Sequence, residues 1–95
     1  MEVETIQLGN ITIFRLIEGV NIGSVEVVFE KGYTFIENIF LDVEHRHKGY
    51  LRKIIKMLSA YGTLECLPLP QHRKKFEHLG FSQYKQVGED LYYRK

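Results

Sequence analysis

Three cationic side chains, Arg46, Lys48 and Arg52, surround a single glycine near the middle of this chain. That glycine, Gly49, directly precedes a run with the periodicity of an amphipathic helix. The first N–H groups of a helix have no partner within it, and the helix dipole adds partial positive charge at that end. Glycine also lets a bound group approach the backbone closely. The combination predicts a binding site for a phosphate group.

The segments on either side of this loop are predicted to be a strand and a helix. Residues 33–41 are almost continuously apolar, which is typical of a central strand covered on both faces. Across residues 49–61 apolar positions follow the i, i+3, i+4, i+7 spacing of a helix, and Gly62 follows as a terminating glycine. Residues 63–67 form a short strand. Strand, helix and strand at this spacing predict a βαβ unit with two parallel strands.

The remaining segments complete an α+β fold. Residues 6–17 contain β-rich runs around a turn at Gly9-Asn10, residues 18–23 carry turn residues, and residues 24–30 form a strand that ends at a Lys31-Gly32 hairpin. After two prolines, residues 71–79 form a short basic helix, and residues 81–94 form a hairpin. We therefore expect one domain spanning residues 1–95, with an N-terminal antiparallel meander, the βαβ unit, and a C-terminal helix and β-hairpin in one mixed sheet.

Composition narrows the classes of function. Ninety-five residues with 44% hydrophobic content suffice for one core. A net charge of +1 argues against a general nucleic-acid binder. The lone cysteine, Cys66, excludes an internal disulfide framework and favours a reducing, cytoplasmic setting. The sequence shows neither a signal peptide nor an apolar stretch of the ~20 residues that span a bilayer, so no membrane partner is expected. The sequence leaves the oligomeric state open, including a homo-oligomer.

Two short motifs make the chain resemble the GNAT superfamily of acyl-CoA-dependent N-acetyltransferases. The family's central signature is a strand ending in V-x-P-E-x, followed by R/Q-x-x-G-x-G/A at the start of a helix. The corresponding residues here, 41–51, read LDVEH and then RHKGYL. A second family signature, Y-x-x-x-G-F, corresponds to FEHLGF at residues 76–81. Both motifs lie in matching elements, and the resemblance extends from about Ile11 to the end of the sequence.

The resemblance implies a GNAT-like mixed sheet with a cofactor cleft and acetyl-CoA as the acyl donor. Backbone groups of Ile39 and Leu41 would pair with the pantetheine arm, and the parallel strand at residues 63–67 would splay away to admit it. The loop and the first helical turn would hold the pyrophosphate, with Arg46 bracing the loop. The residues implied for the pyrophosphate are His47, Lys48, Gly49, Tyr50, Leu51 and Arg52.

Four features depart from the family pattern. Leu51 stands where the family prefers glycine or alanine, and Phe76 stands where a tyrosine often protonates the leaving thiolate. Leu69 replaces an asparagine that often follows the parallel strand. Residues 18–23 are too few to hold the pair of helices that commonly helps to build the acceptor site. These departures predict a minimal member with an open acceptor face, or one that a partner completes.

Three side chains are candidates for the chemistry. Glu37 lies on the central strand, by alternation on the side of Ile39 and Leu41, and is either the base that takes the proton of an acceptor amine or a solvated strand residue. Cys66 is either close to the reaction centre or a small buried core residue. Tyr84 is a candidate replacement for the missing tyrosine, with a core or surface position as its alternative.

Two functions stay open at this point. The first is an acetyl-CoA-dependent N-acetyltransferase that acts on an amine of a protein or of a small molecule. The second is a catalytically degenerate GNAT-fold module that contacts another macromolecule. The histidines are not expected to bind a metal, which needs three or four convergent ligands.

Overall fold

The computed structural model describes all 95 residues and contains seven strands and two α-helices. The strands are β1 (Glu2–Leu8), β2 (Ile11–Glu18), β3 (Val20–Glu30), β4 (Tyr33–Leu41), β5 (Leu64–Cys66), β6 (Ser82–Val87) and β7 (Asp90–Arg94). The helices are α1 (Tyr50–Ser59) and α2 (Arg73–His78), with 3-10 turns at Val43–His45 and Pro70–His72. One mixed sheet joins all strands in the order β1-β2-β3-β4-β5-β7-β6, which confirms the predicted α+β class. Neither helix is long and apolar enough to cross a membrane.

Strands β1 to β4 form the antiparallel meander, which is longer than the sequence predicted. Strand β1 pairs with β2 over its whole length, from Glu2–Ile17 to Leu8–Ile11. The predicted turn at residues 18–23 shrinks to Gly19, whose φ of 76° is left-handed, and β3 already begins at Val20. Cross-strand hydrogen bonds give the backbone groups of residues 20–23 partners that an isolated turn does not offer.

The two parallel strands β4 and β5 separate after a short contact. They pair only through Thr34–Leu64, Phe35–Glu65 and Ile36–Cys66. Strand β4 continues to Leu41, so its last five residues have no strand partner on that side. We call this opening the notch. The predicted splay between the parallel strands is therefore confirmed. Strand β5 pairs on its other side with β7, which lies between β5 and β6.

Helix α1 covers one face of the sheet, which we call the helix face. It buries Ile54, Ile55 and Leu58. A core residue of this kind contributes about 1.5–3 kcal/mol through burial of apolar surface. Phe76 of α2 packs against the same cluster. The buried core residues on the strands, and on the loop that precedes β6, are Phe14, Leu16, Ile22, Val25, Val27, Ile36, Leu64, Cys66, Phe81 and Tyr93.

The opposite side of the sheet, which we call the open face, carries no helix. Asn38 and Phe40 of β4 point to this side and are exposed, and Phe40 retains 50% of its accessible surface. The prediction that β4 is covered on both faces is therefore wrong. Both helices contribute to the core on the other face, and the chain has no further helix to cover this one.

A β-bulge in β4 decides which way Glu37 points. Val27 pairs with Ile36, whereas the next residue of β3, Glu26, pairs with Asn38, so Glu37 has no partner of its own on β3. Ile36 and Ile39 both pack on the core, while Glu37 and Asn38 between them are exposed. The prediction that Glu37 shares the side of Ile39 and Leu41 is therefore wrong, because the extra residue reverses the alternation.

Gly23 sets how closely β3 approaches the end of β4, and its replacement should destabilise the fold. It is buried opposite Leu41, and an added Cβ would collide with the Phe40 carbonyl oxygen and crowd the Leu41 Cα. We expect Gly23→Ala to lower the free energy of unfolding by about 1–3 kcal/mol or more. Urea denaturation measures this, with Ser24→Ala on the open face as the control. Equal midpoints for the two variants would contradict the packing described for β3 and β4.

Candidate functional site

A cleft of about 950 Å³ runs along the unpaired edge of β4. Residues 37–41 form one wall, the loop before α1 forms the second, and residues 66–69 together with α2 form the third. The cleft brings together most of the residues predicted from the sequence: Glu37, Ile39, Leu41, Arg46, His47, Gly49, Leu51, Arg52 and Cys66. Three predicted residues, Lys48, Tyr50 and Tyr84, do not line it.

The loop between β4 and α1 is tied back to the strand that precedes it. Nε of Arg46 donates a hydrogen bond of 2.9 Å to the carbonyl oxygen of Leu41. His47 (φ 63°) and Gly49 (φ 83°) both adopt left-handed backbone conformations. For a residue other than glycine this conformation costs on the order of 1 kcal/mol, and such strain is often found at functional sites. The loop is thus held in a specific shape rather than in the one of lowest local energy.

Helix α1 begins with no group of its own to satisfy its first turn. Gly49 provides no side-chain cap, and the first turn contains no acidic residue. The first intrahelical bond runs from the Lys53 N–H to the Gly49 carbonyl, so the N–H groups of residues 50–52 lack an intrahelical acceptor. Nothing lies within 4 Å of where a Cβ on Gly49 would be. The helix start therefore has both the donors and the space that an anion requires.

The charge of the chain is divided between its two halves. Residues 46–78 contain eight of the 13 Lys and Arg residues but only two of the 12 Asp and Glu residues. Residues 1–45 show the reverse, with two basic and eight acidic residues. The small net charge therefore conceals a basic loop-and-helix segment beside an acidic meander. The basic segment surrounds the cleft and attracts anions to it.

The edge of β4 offers backbone groups to an extended ligand. The Asp42 N–H donates to the Ile22 carbonyl on β3 at 2.8 Å. Because hydrogen-bonding direction alternates along a strand, the backbone groups of Leu41 and Ile39 point the other way, into the cleft. Arg46 takes the Leu41 carbonyl, which leaves Ile39 with both its N–H and its C=O facing the cleft.

Leu51 and Tyr50 occupy the first turn in different ways. The Leu51 side chain packs against the core and also contributes to the cleft wall. The Tyr50 hydroxyl is 3.2 Å from Oε2 of Glu18, and its ring points away from the cleft. Burial and this carboxylate raise the pKa of Tyr50 above its usual value. Leu51 thus shapes the cleft with its side chain, whereas Tyr50 has only its backbone N–H at the helix start.

Cys66 is both a core residue and part of the cleft wall. Its side chain is buried in the main cluster, directly opposite Ile36 at the last pair before the notch. Burial raises the pKa of the Cys66 thiol to about 12, so the thiol is protonated at neutral pH. A protonated thiol is a poor nucleophile. The position suits packing at the base of the notch better than covalent chemistry.

Tyr84 lies on the open face, outside the cleft. Its hydroxyl donates a hydrogen bond to the Glu65 carboxylate, whose other oxygen is 3.1 Å from Nη2 of Arg94. The Arg94 guanidinium also stacks 4.0 Å above the Tyr84 ring. Burial and the Glu65 carboxylate raise the pKa of Tyr84 to about 12. This cluster connects β5, β6 and β7, and it commits the Tyr84 proton to Glu65.

Several cleft residues were not predicted from the sequence. Asn38 and His78 line the cleft, as do His72, Lys75 and Phe76 on one side of the segment that includes α2. The spacing of His72 and Phe76 at i and i+4 could have indicated a shared face, but their position across from β4 depends on tertiary packing. No three His, Cys, Asp or Glu side chains converge as metal ligands would.

Comparison with known proteins identifies the fold. No family model and no curated protein matches the amino-acid sequence. Three solved structures do match. An acetyltransferase of the GNAT family from Staphylococcus aureus superposes with a TM-score of 0.70 and 10% identity, over 90% of this chain and 67% of its own. The PaiA N-acetyltransferase of Thermoplasma acidophilum, solved with coenzyme A, gives 0.68 and 18% over 90% and 60%. A proposed streptothricin acetyltransferase of Bacillus anthracis, solved with acetyl coenzyme A, gives 0.75 and 18% over 94% and 64%.

The chain has the GNAT fold. The resemblance predicted from the two motifs is thereby confirmed at the level of the fold. The GNAT fold also explains why β4 and β5 separate beside a helix start, since two of these matching structures were solved with coenzyme A or its acetyl ester.

Replacement of Tyr84 should reveal the cluster with Glu65 through the pH dependence of stability. A raised tyrosine pKa means that the native state favours the neutral phenol, so this contribution is full below the usual value of about 10 and is lost as the pH rises toward 12. We expect Tyr84→Phe to lose about 1–2 kcal/mol at neutral pH, because Glu65 loses a donor. The variant should also lose less stability than the native protein between pH 10 and pH 12.

Urea denaturation across this pH range tests the cluster. Tyr33→Phe is the matched control, because the Tyr33 hydroxyl makes no hydrogen bond in the structure and its removal should preserve the native slope. A Tyr84→Phe slope equal to that of the control would contradict the coupling to Glu65.

Proposed function

We propose that this protein is an acyl-CoA-dependent N-acetyltransferase, which transfers an acetyl group from acetyl-CoA to an amine. The observation that carries the proposal is that the notch between β4 and β5 leads directly to the uncapped start of α1. The notch exposes a strand edge, and the helix start exposes three N–H donors among basic side chains. The GNAT fold supports this assignment, because matching structures contain coenzyme A or acetyl coenzyme A.

The cleft fits acetyl-CoA in order along its length. The pyrophosphate would accept hydrogen bonds from the N–H groups of residues 50–52, beside Arg52 and the open space over Gly49. The pantetheine arm would pair with Ile39 as an added strand. The thioester would then reach the notch at Ile36 and Cys66, where the two strands part.

The notch connects the two faces of the sheet. The cleft wall includes Ile39 and Leu41 from the helix face and also Asn38 and Phe40 from the open face. Because α1 fills the helix face, an acceptor can approach only from the open face. Glu37 and Asn38 point there, and Glu26 lies across the strand pair from Asn38. The proposed acceptor side thus carries carboxylates, which attract an ammonium group.

Transfer requires the amine to lose a proton and attack the thioester carbonyl. In the proposed mechanism Glu37 accepts that proton, directly or through one water. The Ile39 N–H stabilises the negative charge that develops on the carbonyl oxygen. The carbon–sulfur bond then breaks, and the sulfur leaves as a thiolate. Phe76 has no proton to give and the proton of Tyr84 is bound to Glu65, so the thiolate takes its proton from water.

A charge placed at Gly49 should separate cofactor binding from fold effects. Asn and Asp both tolerate the left-handed backbone that Gly49 adopts, and they differ mainly in charge. We expect Gly49→Asp to abolish acetyl-CoA binding, because the carboxylate occupies the anion position, whereas Gly49→Asn weakens binding by a smaller factor. Isothermal titration calorimetry with acetyl-CoA measures both variants.

The same titration decides between the two functions. No binding of acetyl-CoA to the native protein at millimolar concentration would refute the acetyltransferase. Binding that depends on Gly49, but without thiol release for any amine tested, would instead support the catalytically degenerate module. The absence of a phenol at Phe76 favours that second function over a fast enzyme.

Glu37 should matter for the rate rather than for cofactor binding. If it is the base, Glu37→Gln lowers kcat by about 10²-fold or more and leaves the KM for acetyl-CoA unchanged. Thiol release with an excess of acceptor amine measures this. Glu89→Gln in the turn between β6 and β7 removes an equal charge far from the notch and serves as the control. Equal kcat values for the two variants would rule out Glu37 as the base.

A further inference from the structure

A second groove of about 480 Å³ adjoins the cleft along α1. The two share Gly49, Arg52 and Leu79 as common walls. On one side of the groove lies a single face of α1 with the spacing i, i+3, i+4, i+7, formed by Arg52, Ile55, Lys56 and Ser59. Leu79 and Lys95 form the opposite side. The groove therefore starts where the helix begins and follows its axis away from the notch.

Every ionisable side chain that lines this groove is a cation. The four are Arg52, Lys53, Lys56 and Lys95, and no carboxylate lies among the lining residues. Arg52 and Lys56 stand at i and i+4 on α1, where like charges destabilise a helix and opposite charges stabilise it. Folding alone would thus favour a glutamate at one of these positions. A bound anion would relieve the repulsion.

Lys95 is held in place at the edge of the groove. Its Nζ donates a hydrogen bond of 2.8 Å to the Leu79 carbonyl, and its backbone N–H and C=O both pair with Leu64. The side chain passes over Gly80, where a Cβ would lie only 3.3 Å from it. The absence of a side chain at residue 80 makes room for this lysine. Its ammonium group is therefore positioned before any ligand binds.

We propose that this groove binds the 3′-phosphate of the adenosine end of CoA and makes the protein selective for CoA over dephospho-CoA. The inference rests on the proposed function, which places the pyrophosphate at the start of α1. From Gly49 to Lys56 the helix rises about 10 Å, so the lysines lie beyond the pyrophosphate in the direction of the groove. A phosphate monoester carries about −1.5 to −2 charge at neutral pH, which suits four cations without a carboxylate.

Calorimetric titration of the native protein with CoA and with dephospho-CoA at one ionic strength tests the proposal. We expect CoA to bind about tenfold tighter or more, through charge-assisted contacts that dephospho-CoA cannot make. The double variant Lys53→Gln/Lys56→Gln should bring this ratio close to one while its affinity for dephospho-CoA stays near the native value. The double variant Lys31→Gln/Lys74→Gln is the control, since neither lysine lines the groove or the cleft.

Each outcome has a distinct meaning. Retention of the ratio by the control and its loss in the groove variant support the proposal. Equal native affinities for the two nucleotides overturn it and leave the acetyltransferase intact. An equal loss in both double variants also overturns it, because the effect then comes from overall charge. Failure of either nucleotide to bind overturns both the groove and the proposed function.

Discussion

The candidate site depends on the early separation of β4 from β5. Parallel strands gain from each further hydrogen-bonded pair, yet these two stop after three pairs. The remaining five residues of β4 keep a free edge. Helix α1 connects the two strands and is anchored in the core by Ile54, Ile55 and Leu58. Because its start lies at the far end of the same opening, an unpaired strand edge and an uncapped helix N-terminus face one cleft.

The bulge at Glu37 adds a second consequence to this separation. On the helix face, Ile39 and Leu41 continue the core that Ile36 begins. The extra residue turns Glu37 and Asn38 to the open face, beside the acidic Glu26. The two sides of the notch therefore differ in character. Basic groups surround the cleft on the helix side, and carboxylates lie on the side from which an amine would arrive. Opposite charges on the two proposed substrates suit this division.

The residues that were expected to perform chemistry have unequal support in the structure. Glu37 lies at the notch with its side chain exposed. Cys66 lies at the same place, but burial holds its thiol protonated. Tyr84 belongs to a cluster with Glu65 and Arg94 that connects three strands on the open face. The structure thus supports the architecture of an acyl-CoA site more directly than it supports an acid for the leaving thiolate. This is the pattern expected of a small GNAT-fold protein with few catalytic groups.

The sequence by itself determined the local elements: the amphipathic period of α1, the glycines at its two ends, the βαβ unit and the two motifs of the GNAT resemblance. These follow from short-range spacing, because a helical or strand period shows within a few residues. Only the tertiary structure decided that Glu37 turns to the open face, that β7 inserts beside β5, and that Tyr84 joins Glu65. It alone also placed Lys95 opposite α1. Each of these depends on pairing between residues far apart in the chain, where one bulge reverses a face and no local pattern records the partner.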